Sequence, residues 1–166
     1  MPGVSEVTVR PATPVEAAEV ARVQVTGWHE AYTGRMPQSV LDGLDVTQRT
    51  ETWGRILAAG RSGVWVAEAD GVVIGFAASG PPRPDEAVPD HLELYAIYVL
   101  AAHYGSGAGT ALLGAAIGEA PASLWVLEDN PRARAFYRRH GFAPTGAVKD
   151  DTAWGNPIRE VRLVRD

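Results

Sequence analysis

The sequence contains no cysteine, and this absence excludes several kinds of chemistry. Without a thiol the chain cannot form a disulfide, bind zinc through thiolates or attack a substrate with a cysteine nucleophile. Covalent catalysis by this chain would therefore need a nucleophile other than cysteine. The absence also fits a reducing compartment, and we expect a cytoplasmic protein without a bound metal.

Long apolar runs and concentrated positive charge are also missing. No stretch of about 18 apolar residues occurs, so no transmembrane helix is predicted. Residues 1–10 lack the basic and apolar regions of a signal peptide. The formal net charge is −5 and the basic residues do not form a block, whereas nucleic-acid binding needs a concentrated basic face. Neither a nucleic acid nor a membrane is therefore an expected partner.

A chain of 166 residues with 46% apolar and 21% charged residues predicts a single folded domain that spans residues 1–166. Hydrophobic periodicity, cap residues and turn residues divide it into elements. In chain order we predict a strand at 7–10, a helix at 14–31, a helical region at 37–59 broken near 43–45, a hairpin of strands 64–69 and 72–77, a strand at 92–100, a helix at 107–119, a strand at 123–127, a helix from 130 to 141, a polar loop at 148–157 and a last strand at 159–164. This order is typical of an α/β protein with a mixed sheet.

Three glycines alternate where the strand at 92–100 leads into the next helix: Gly105, Gly107 and Gly109. Glycine allows a tight turn and lets a ligand approach the peptide plane. Because the free N–H groups of a helix start attract negative charge, this turn predicts a pyrophosphate site made from main-chain atoms. The alternative is that the glycines only shape a tight turn. Neither a Walker loop nor a G-x-G-x-x-G motif is present.

The stretch 124–142 carries Asn130 and Tyr137 on one predicted helix. It resembles the closing motif of the GCN5-related N-acetyltransferases, the GNAT family, and residues 92–113 resemble the family's acetyl-CoA motif. Two motifs in this order and spacing are more specific than either motif alone. The resemblance implies a central mixed, twisted sheet of about seven strands with about four helices, in which two neighbouring strands splay apart to admit CoA. It also implies acetyl-CoA as the co-substrate.

The resemblance further assigns cofactor-binding residues. Main-chain groups that would pair with the pantetheine arm like an added strand are those of Ile97, Tyr98 and Val99. Amides that would hold the pyrophosphate are those of Tyr104, Gly105, Ser106, Gly107, Ala108, Gly109 and Thr110. Asn130, Arg134 and Tyr137 would complete the site, although Asn130 alone could be a helix cap and Tyr137 a core residue. Tyr104 departs from the family, which prefers Arg or Gln there, and this removes one side-chain contact.

Transfer to an amine requires an acceptor without its proton. Glu93 is the leading base, acting directly or through a water. Strand alternation places Glu93 on one face with Tyr95 and Ile97. The alternative is a solvated carboxylate at a strand end, and His91 is a second candidate base.

The transition state also needs a stabilised oxyanion and a stabilised thiolate. The N–H group of Val99 is the expected oxyanion donor, and Tyr137 is the expected acid. Because a phenol has a pKa of ~10 and a thiol one of ~8.5, a hydrogen bond from Tyr137 to the developing thiolate is easier than complete proton transfer.

Aromatic and acidic residues are expected around the acceptor. The family builds one acceptor wall between the first two helices and often builds the other in the closing hairpin. The residues at these places are Trp28, His29, Glu30 and Tyr32, and Asp150, Asp151 and Trp154; Tyr95 is a further substrate-binding candidate. A site lined by aromatic and acidic side chains suits a cation. The alternative for each of these residues is that it packs in the core or is simply exposed to solvent.

These expectations describe an acetyl-CoA-dependent N-acetyltransferase that moves the acetyl group directly to a primary amine of a small molecule or of a peptide or protein N-terminus. The alternatives are a catalytically silent CoA-binding regulatory module and a nucleotide-binding α/β protein. A lysine-like acceptor with a pKa of ~10.4 would cost about 4.6 kcal/mol to neutralise at pH 7, and an α-amino group with a pKa of ~8 about 1.4 kcal/mol. The edge strand near the C-terminus could pair across a homodimer.

Overall fold

The computed structural model describes residues 5–83, 91–152 and 157–166. Within them the chain forms five α-helices, two short 3₁₀ turns and seven strands. In chain order these are β1 Val7–Pro11, a 3₁₀ turn Pro14–Glu16, α1 Ala17–Tyr32, α2 Gln38–Asp42, α3 Val46–Ala59, β2 Gly63–Ala69, β3 Val72–Gly80, β4 Leu92–Val99, a 3₁₀ turn Ala101–His103, α4 Ala108–Ile117, β5 Ala122–Leu127, α5 Pro131–Arg139, β6 Ala143–Asp151 and β7 Ile158–Arg165. No helix in these ranges has the length and apolar character needed to cross a membrane.

One sheet contains all seven strands, in the order β1-β2-β3-β4-β5-β7-β6. Neighbouring strands run antiparallel except β4 and β5, which are parallel and are joined through α4. A parallel pair needs such a crossover, because a tight turn can only connect antiparallel strands. The predicted mixed sheet of about seven strands is confirmed.

Local signals in the sequence set the ends of several elements. The Glu16 carboxylate accepts the Thr13 N–H at 2.9 Å, which starts the first helical segment with a capping box. Asp45 caps α3 by accepting from the Thr47 N–H at 2.8 Å. Asp70 and Gly71 both have positive φ, 53° and 77°, and form the two-residue turn predicted between β2 and β3.

Two apolar clusters cover the opposite faces of the sheet. On one face Leu112 of α4 packs with Ile74 and other residues of the central strands. On the other face Val20 of α1 and Trp53 of α3 pack around Phe76, whose ring lies edge-on to the Trp53 ring at 5.1 Å. Successive side chains of β2 and β3 belong alternately to the two clusters, because side chains of a strand point alternately to its two faces.

A β-bulge in β4 shifts this alternation. Ser79 pairs with Leu94 and Ala78 pairs with Ala96, so Tyr95 is an extra residue in β4. As a result Leu94 and Ile97 both pack in the cluster of α4, whereas Tyr95 packs in the cluster of α1 and α3. The prediction that Tyr95 and Ile97 share a face is wrong, because it assumed an uninterrupted period of two.

The predicted polar loop at 148–157 is wrong in its first part. Residues up to Asp151 belong to β6, and Val148 pairs with Val161 of β7. The local sequence is polar because this edge strand is exposed along most of its length. Cross-strand hydrogen bonds to β7, rather than local propensity, therefore determine the strand.

Gly75 allows β3 to lie close against β4. A Cβ at position 75 would lie 2.8 Å from the main-chain oxygen of Tyr98 and 3.2 Å from Cδ1 of Leu112. We expect Gly75→Ala to lower the free energy of unfolding by about 1–3 kcal/mol, since overpacking forces the backbone to shift. Gly54→Ala is the control: Gly54 has no heavy atom within 4 Å of a Cβ and lies inside α3, so this change should stabilise the protein by about 0.5–1 kcal/mol. Urea unfolding measures both, and equal effects would contradict the packing argument.

Candidate functional site

The parallel pairing of β4 and β5 ends early, and a cleft opens where it stops. The paired positions are Leu92 with Ala122, Glu93 with Ser123 and Leu94 with Leu124. Beyond them the strands separate and a cleft of about 560 Å³ lies between them, with residues 94–99 on one side and residues 125–127 on the other. The structure therefore has the splayed strands that the sequence led us to expect.

The cleft passes through the sheet from one face to the other. On the face of α1 it is lined by Gly27, Trp28 and Tyr32, and on the face of α4 by the turn before α4 and by Phe136 and Tyr137 of α5. Two molecules can therefore enter from opposite faces and meet between the strands.

Main-chain N–H groups of β4 face this cleft. Leu100 donates its N–H to the Ile74 carbonyl oxygen on β3, at 2.9 Å. Successive N–H groups of a strand point to opposite sides. The N–H groups of Leu100 and Tyr98 therefore point toward β3. Those of Val99 and Ile97 point away from β3, toward the cleft.

The glycine-rich turn has the geometry of an anion site. Gly105 and Gly107 have φ of 79° and 86°, values that a residue with a Cβ adopts only with strain. Tyr104 and Ser106 use their N–H groups within the turn, bonding to the carbonyl oxygens of Ala101 and His103 at 3.1 and 3.2 Å. Within the described residues no acceptor is found for the N–H groups of Gly105, Gly107, Gly109 and Thr110. Four of the seven expected donors thus remain available at the start of α4.

Basic side chains line this end of the cleft, and sequence reasoning missed them. The Arg132 guanidinium stacks on the Tyr104 ring, with Cζ 3.7 Å from the ring centroid. Arg139 and His103 also line the cleft. Arg132 and Arg139 stand two turns apart on α5, and this helical spacing was the signal that could have identified them.

Two residues assigned to the cofactor site do not line the cleft. Arg134 donates from Nη1 to the Glu128 carbonyl oxygen at 3.1 Å, outside the set of cleft-lining residues. Ser106 is also outside that set, and its hydroxyl instead accepts the Ala108 N–H at 3.3 Å. These two side chains stabilise the local backbone.

Three phenols line the cleft, those of Tyr32, Tyr98 and Tyr137. The hydroxyl oxygens of Tyr32 and Tyr98 lie 3.2 Å apart, and Asn130 lines the same cleft. Asn130 also accepts the Ala133 N–H at 3.2 Å and thereby caps α5. Burial, reinforced by neighbouring Tyr32, raises the pKa of Tyr137 well above its ordinary value. Tyr137 therefore stays protonated throughout the neutral range.

Glu93, expected to act as a base either directly or through a water, is buried beside the cleft. Its side chain is only 2% exposed and Oε2 lies 3.3 Å from Nε of Arg83, so it is not a solvated carboxylate. Arg83 and Tyr95 line the cleft, and Glu93 is not among the lining residues. His91, the second candidate base, has Nε2 at 3.8 Å from a carboxylate oxygen of Asp166 and is also outside the lining.

The end of the cleft near α1 and β7 is aromatic and acidic. Trp28 and Tyr32 meet edge to face, with ring centroids 5.3 Å apart, and Asp151 and Glu160 contribute carboxylates. The other expected wall residues, His29, Glu30 and Asp150, are not among the lining residues. Trp154 lies outside the described residues.

Residues 26–142 match the family model of the acetyltransferase (GNAT) family. The chain belongs to the GNAT acetyltransferase family. It is 32% identical over 143 residues to a protein of Mycobacterium tuberculosis named as a probable N-acetyltransferase, across 83% of this chain and 80% of that protein. It is 34% identical over 165 residues to the uncharacterized N-acetyltransferase YuaI of Bacillus subtilis, across 95% of this chain and 91% of the relative.

Solved structures of this GNAT fold include complexes with the cofactor. The PaiA N-acetyltransferase of Thermoplasma acidophilum, crystallised with coenzyme A, superposes with a TM-score of 0.69 at 15% identity, over 97% of this chain and 99% of that one. The acetyltransferase YncA of Salmonella typhimurium, crystallised with acetyl-CoA, superposes with a TM-score of 0.69 at 22% identity, over 96% and 93% of the two chains. Membership of this family makes the protein an acetyl-CoA-dependent N-acetyltransferase.

The hydrogen bond between Tyr32 and Tyr98 can be measured with a double-mutant cycle. We expect Tyr32→Phe and Tyr98→Phe each to lower the free energy of unfolding by about 1–3 kcal/mol, because each leaves the other hydroxyl without this partner. The double variant should lose about 1 kcal/mol less than the sum of the single losses. Tyr104→Phe, the same chemical change at a side chain that is 39% exposed, should alter stability by less than about 0.5 kcal/mol. Strict additivity in urea unfolding would show that the two hydroxyls do not interact.

Proposed function

We propose that this protein transfers the acetyl group of acetyl-CoA directly to a primary amine of a small molecule or of a peptide or protein N-terminus, with both substrates bound at once. The observation that carries the proposal is the cleft that crosses the sheet between β4 and β5. Acetyl-CoA would enter on the face of α4 and α5, and the amine on the face of α1. Direct transfer also agrees with a chain that has no cysteine to carry the acetyl group.

The cofactor end of the cleft suits acetyl-CoA in charge and in hydrogen bonding. The N–H groups of the turn before α4 and the positive end of the helix dipole favour the diphosphate. The N–H groups of Ile97 and Val99 would bind the pantetheine amides as a partner strand binds. This assignment uses main-chain atoms and needs no charged side chain within residues 104–110.

In the chemical step the amine nitrogen attacks the thioester carbonyl carbon. A C–N bond forms, the C–S bond breaks, CoA leaves as a thiolate, and the amine loses one proton. The Val99 N–H would stabilise the oxyanion. Tyr137 would donate a hydrogen bond to the departing sulfur, and its raised pKa makes that hydrogen bond, rather than complete proton transfer, its role.

The position of Glu93 restricts the kind of acceptor. The Glu93 carboxylate is buried against Arg83. Glu93 would therefore accept the proton of the amine only through a water molecule and would not contact the amine itself. An acceptor that is partly neutral at pH 7 needs less from a base: an amine with a pKa of ~8 costs about 1.4 kcal/mol to neutralise, against about 4.6 kcal/mol for a lysine side chain. We therefore propose that α-amino groups and other amines of low pKa are preferred.

The same observation favours one alternative, a CoA-binding module without catalysis. A module that only binds CoA needs no accessible base, so a Glu93 carboxylate that is buried and paired with Arg83 is compatible with it. Turnover distinguishes the two functions, because both predict CoA binding and only the enzyme releases free CoA in the presence of an amine.

Acceptor preference is tested by thiol release with two matched peptides, one with a free N-terminus and no lysine, the other with a blocked N-terminus and one lysine. At pH 7 we expect the first to react faster, since about 10% of an α-amino group is neutral there and far less of a lysine side chain. The preference should shrink as the pH rises to 9. A lysine preference at pH 7 would contradict the low-pKa proposal, and CoA binding without turnover on any amine would favour the silent module.

Tyr137→Phe tests the acid. We expect kcat to fall about 10- to 100-fold, as for loss of a hydrogen bond to a charged group worth about 1.5–3 kcal/mol, with little change in the affinity for CoA. Because the pKa of Tyr137 is raised, the ratio of wild-type to variant kcat should stay constant between pH 7 and 9. Calorimetric CoA binding verifies that the variant is folded. An unchanged kcat would refute the role of Tyr137.

A further inference from the structure

A stacked pair of side chains from two different elements lines the end of the cleft next to the glycine-rich turn. Tyr104 follows β4, and Arg132 stands in the first turn of α5. The guanidinium carbon of Arg132 lies 3.7 Å from the Tyr104 ring centroid, and both residues line the cleft. The pair therefore bridges the two elements that flank the four available N–H groups of the glycine-rich turn.

The turn itself supplies hydrogen bonds and no full positive charge. Residues 104–110 contain no Lys, Arg or His, and Tyr104 stands where the resembled family prefers Arg or Gln. A doubly charged phosphate group gains most from a donor that is itself charged. Helix α5 contributes two charged residues to the cleft lining, Arg132 and Arg139, and of these Arg132 is the one stacked on Tyr104.

Stacking on the Tyr104 ring orients the Arg132 guanidinium for phosphate binding. A guanidinium that lies on an aromatic face keeps its N–H edge free to donate to phosphate oxygens, and the contact restricts side-chain rotamers before the ligand arrives. In the described part of the chain Arg132 forms no ion pair with a carboxylate, so its charge is not already neutralised. Arg10, in contrast, is held by Glu16 at 2.7 Å and Glu68 at 2.9 Å.

We propose that Arg132, oriented by the Tyr104 ring, is the cation that binds a phosphate group of the acyl-CoA in this protein, and that the two residues act as one unit. The inference rests on the proposed function, because it requires acetyl-CoA in this cleft. The shared chemistry is a phosphate anion, which is present in CoA both as the diphosphate and as the 3′-phosphate.

Calorimetric titration with CoA tests the cation. We expect Arg132→Ala to weaken CoA binding about 10- to 100-fold, the usual cost of losing a hydrogen bond to a charged group. Arg132→Lys should fall between wild type and Arg132→Ala, because it keeps the charge and loses the planar stack. The weakening should diminish as salt is raised. Arg138→Ala is the matched control, since Arg138 lies on the same helix with the same charge and is not a lining residue; its affinity should stay within about twofold of wild type.

Variants of Tyr104 test whether Tyr104 and Arg132 act together in binding CoA. Tyr104→Ala should weaken CoA binding several-fold and Tyr104→Phe by less, because Phe retains the ring on which the guanidinium lies. In the double variant Arg132→Ala/Tyr104→Ala the loss should approach that of Arg132→Ala alone, since the ring acts through the arginine. If the losses of CoA affinity in the two single variants add fully in the double variant, Tyr104 and Arg132 do not act as one unit.

A second titration with 3′-dephospho-CoA identifies which phosphate is bound. If Arg132→Ala weakens both ligands equally, Arg132 binds the diphosphate; if it weakens only CoA, Arg132 binds the 3′-phosphate. Both results support the proposal. If Arg132→Ala binds CoA as wild type does, the inference is overturned and the proposed function stands, whereas wild-type protein that binds no CoA would overturn the proposed function itself.

Discussion

Separation of β4 from β5 after Leu94 and Leu124 is the constraint on which the rest of this structure depends. Main-chain groups of a central strand rarely stay without partners, because an unpaired buried N–H or C=O group costs free energy. Here the open edge of β4 faces a cleft rather than packed side chains. In the proposed function, the amides of the pantetheine arm would complete the sheet at this edge.

The two ends of the cleft differ in charge, and the difference follows from the elements that line them. Near the glycine-rich turn, Arg132 and Arg139 of α5 add positive charge to the helix dipole of α4. Toward β6 and β7, Asp151 and Glu160 add negative charge beside the aromatic rings of α1. In the proposed function, a polyanionic cofactor and an amine would bind at opposite ends of this cleft. The phenols of Tyr32, Tyr98 and Tyr137 also line it.

Sequence reasoning succeeded where a residue acts through local geometry. The hairpin at Asp70, the cap at Asp45 and the turn at Gly105 were all recognisable, because each depends on neighbours only a few positions away. It failed where tertiary pairing intervened. The extra residue in β4 moved Ile97 to the face opposite Tyr95, and pairing with β7 extended β6 to Asp151 through a polar sequence. Neither effect has a local signal.

The sequence by itself determined the order of the elements, the glycine-rich turn and the family, because short-range steric and capping preferences and motif spacing are written in consecutive residues. Only the tertiary structure decided that Glu93 is buried against Arg83, that Tyr32 meets Tyr98, and that Arg132 stacks on Tyr104. Each of these contacts joins residues that lie in different parts of the fold, ten or more positions apart along the chain. Their geometry depends on the angle at which the strands diverge and the helices pack, which no local pattern contains.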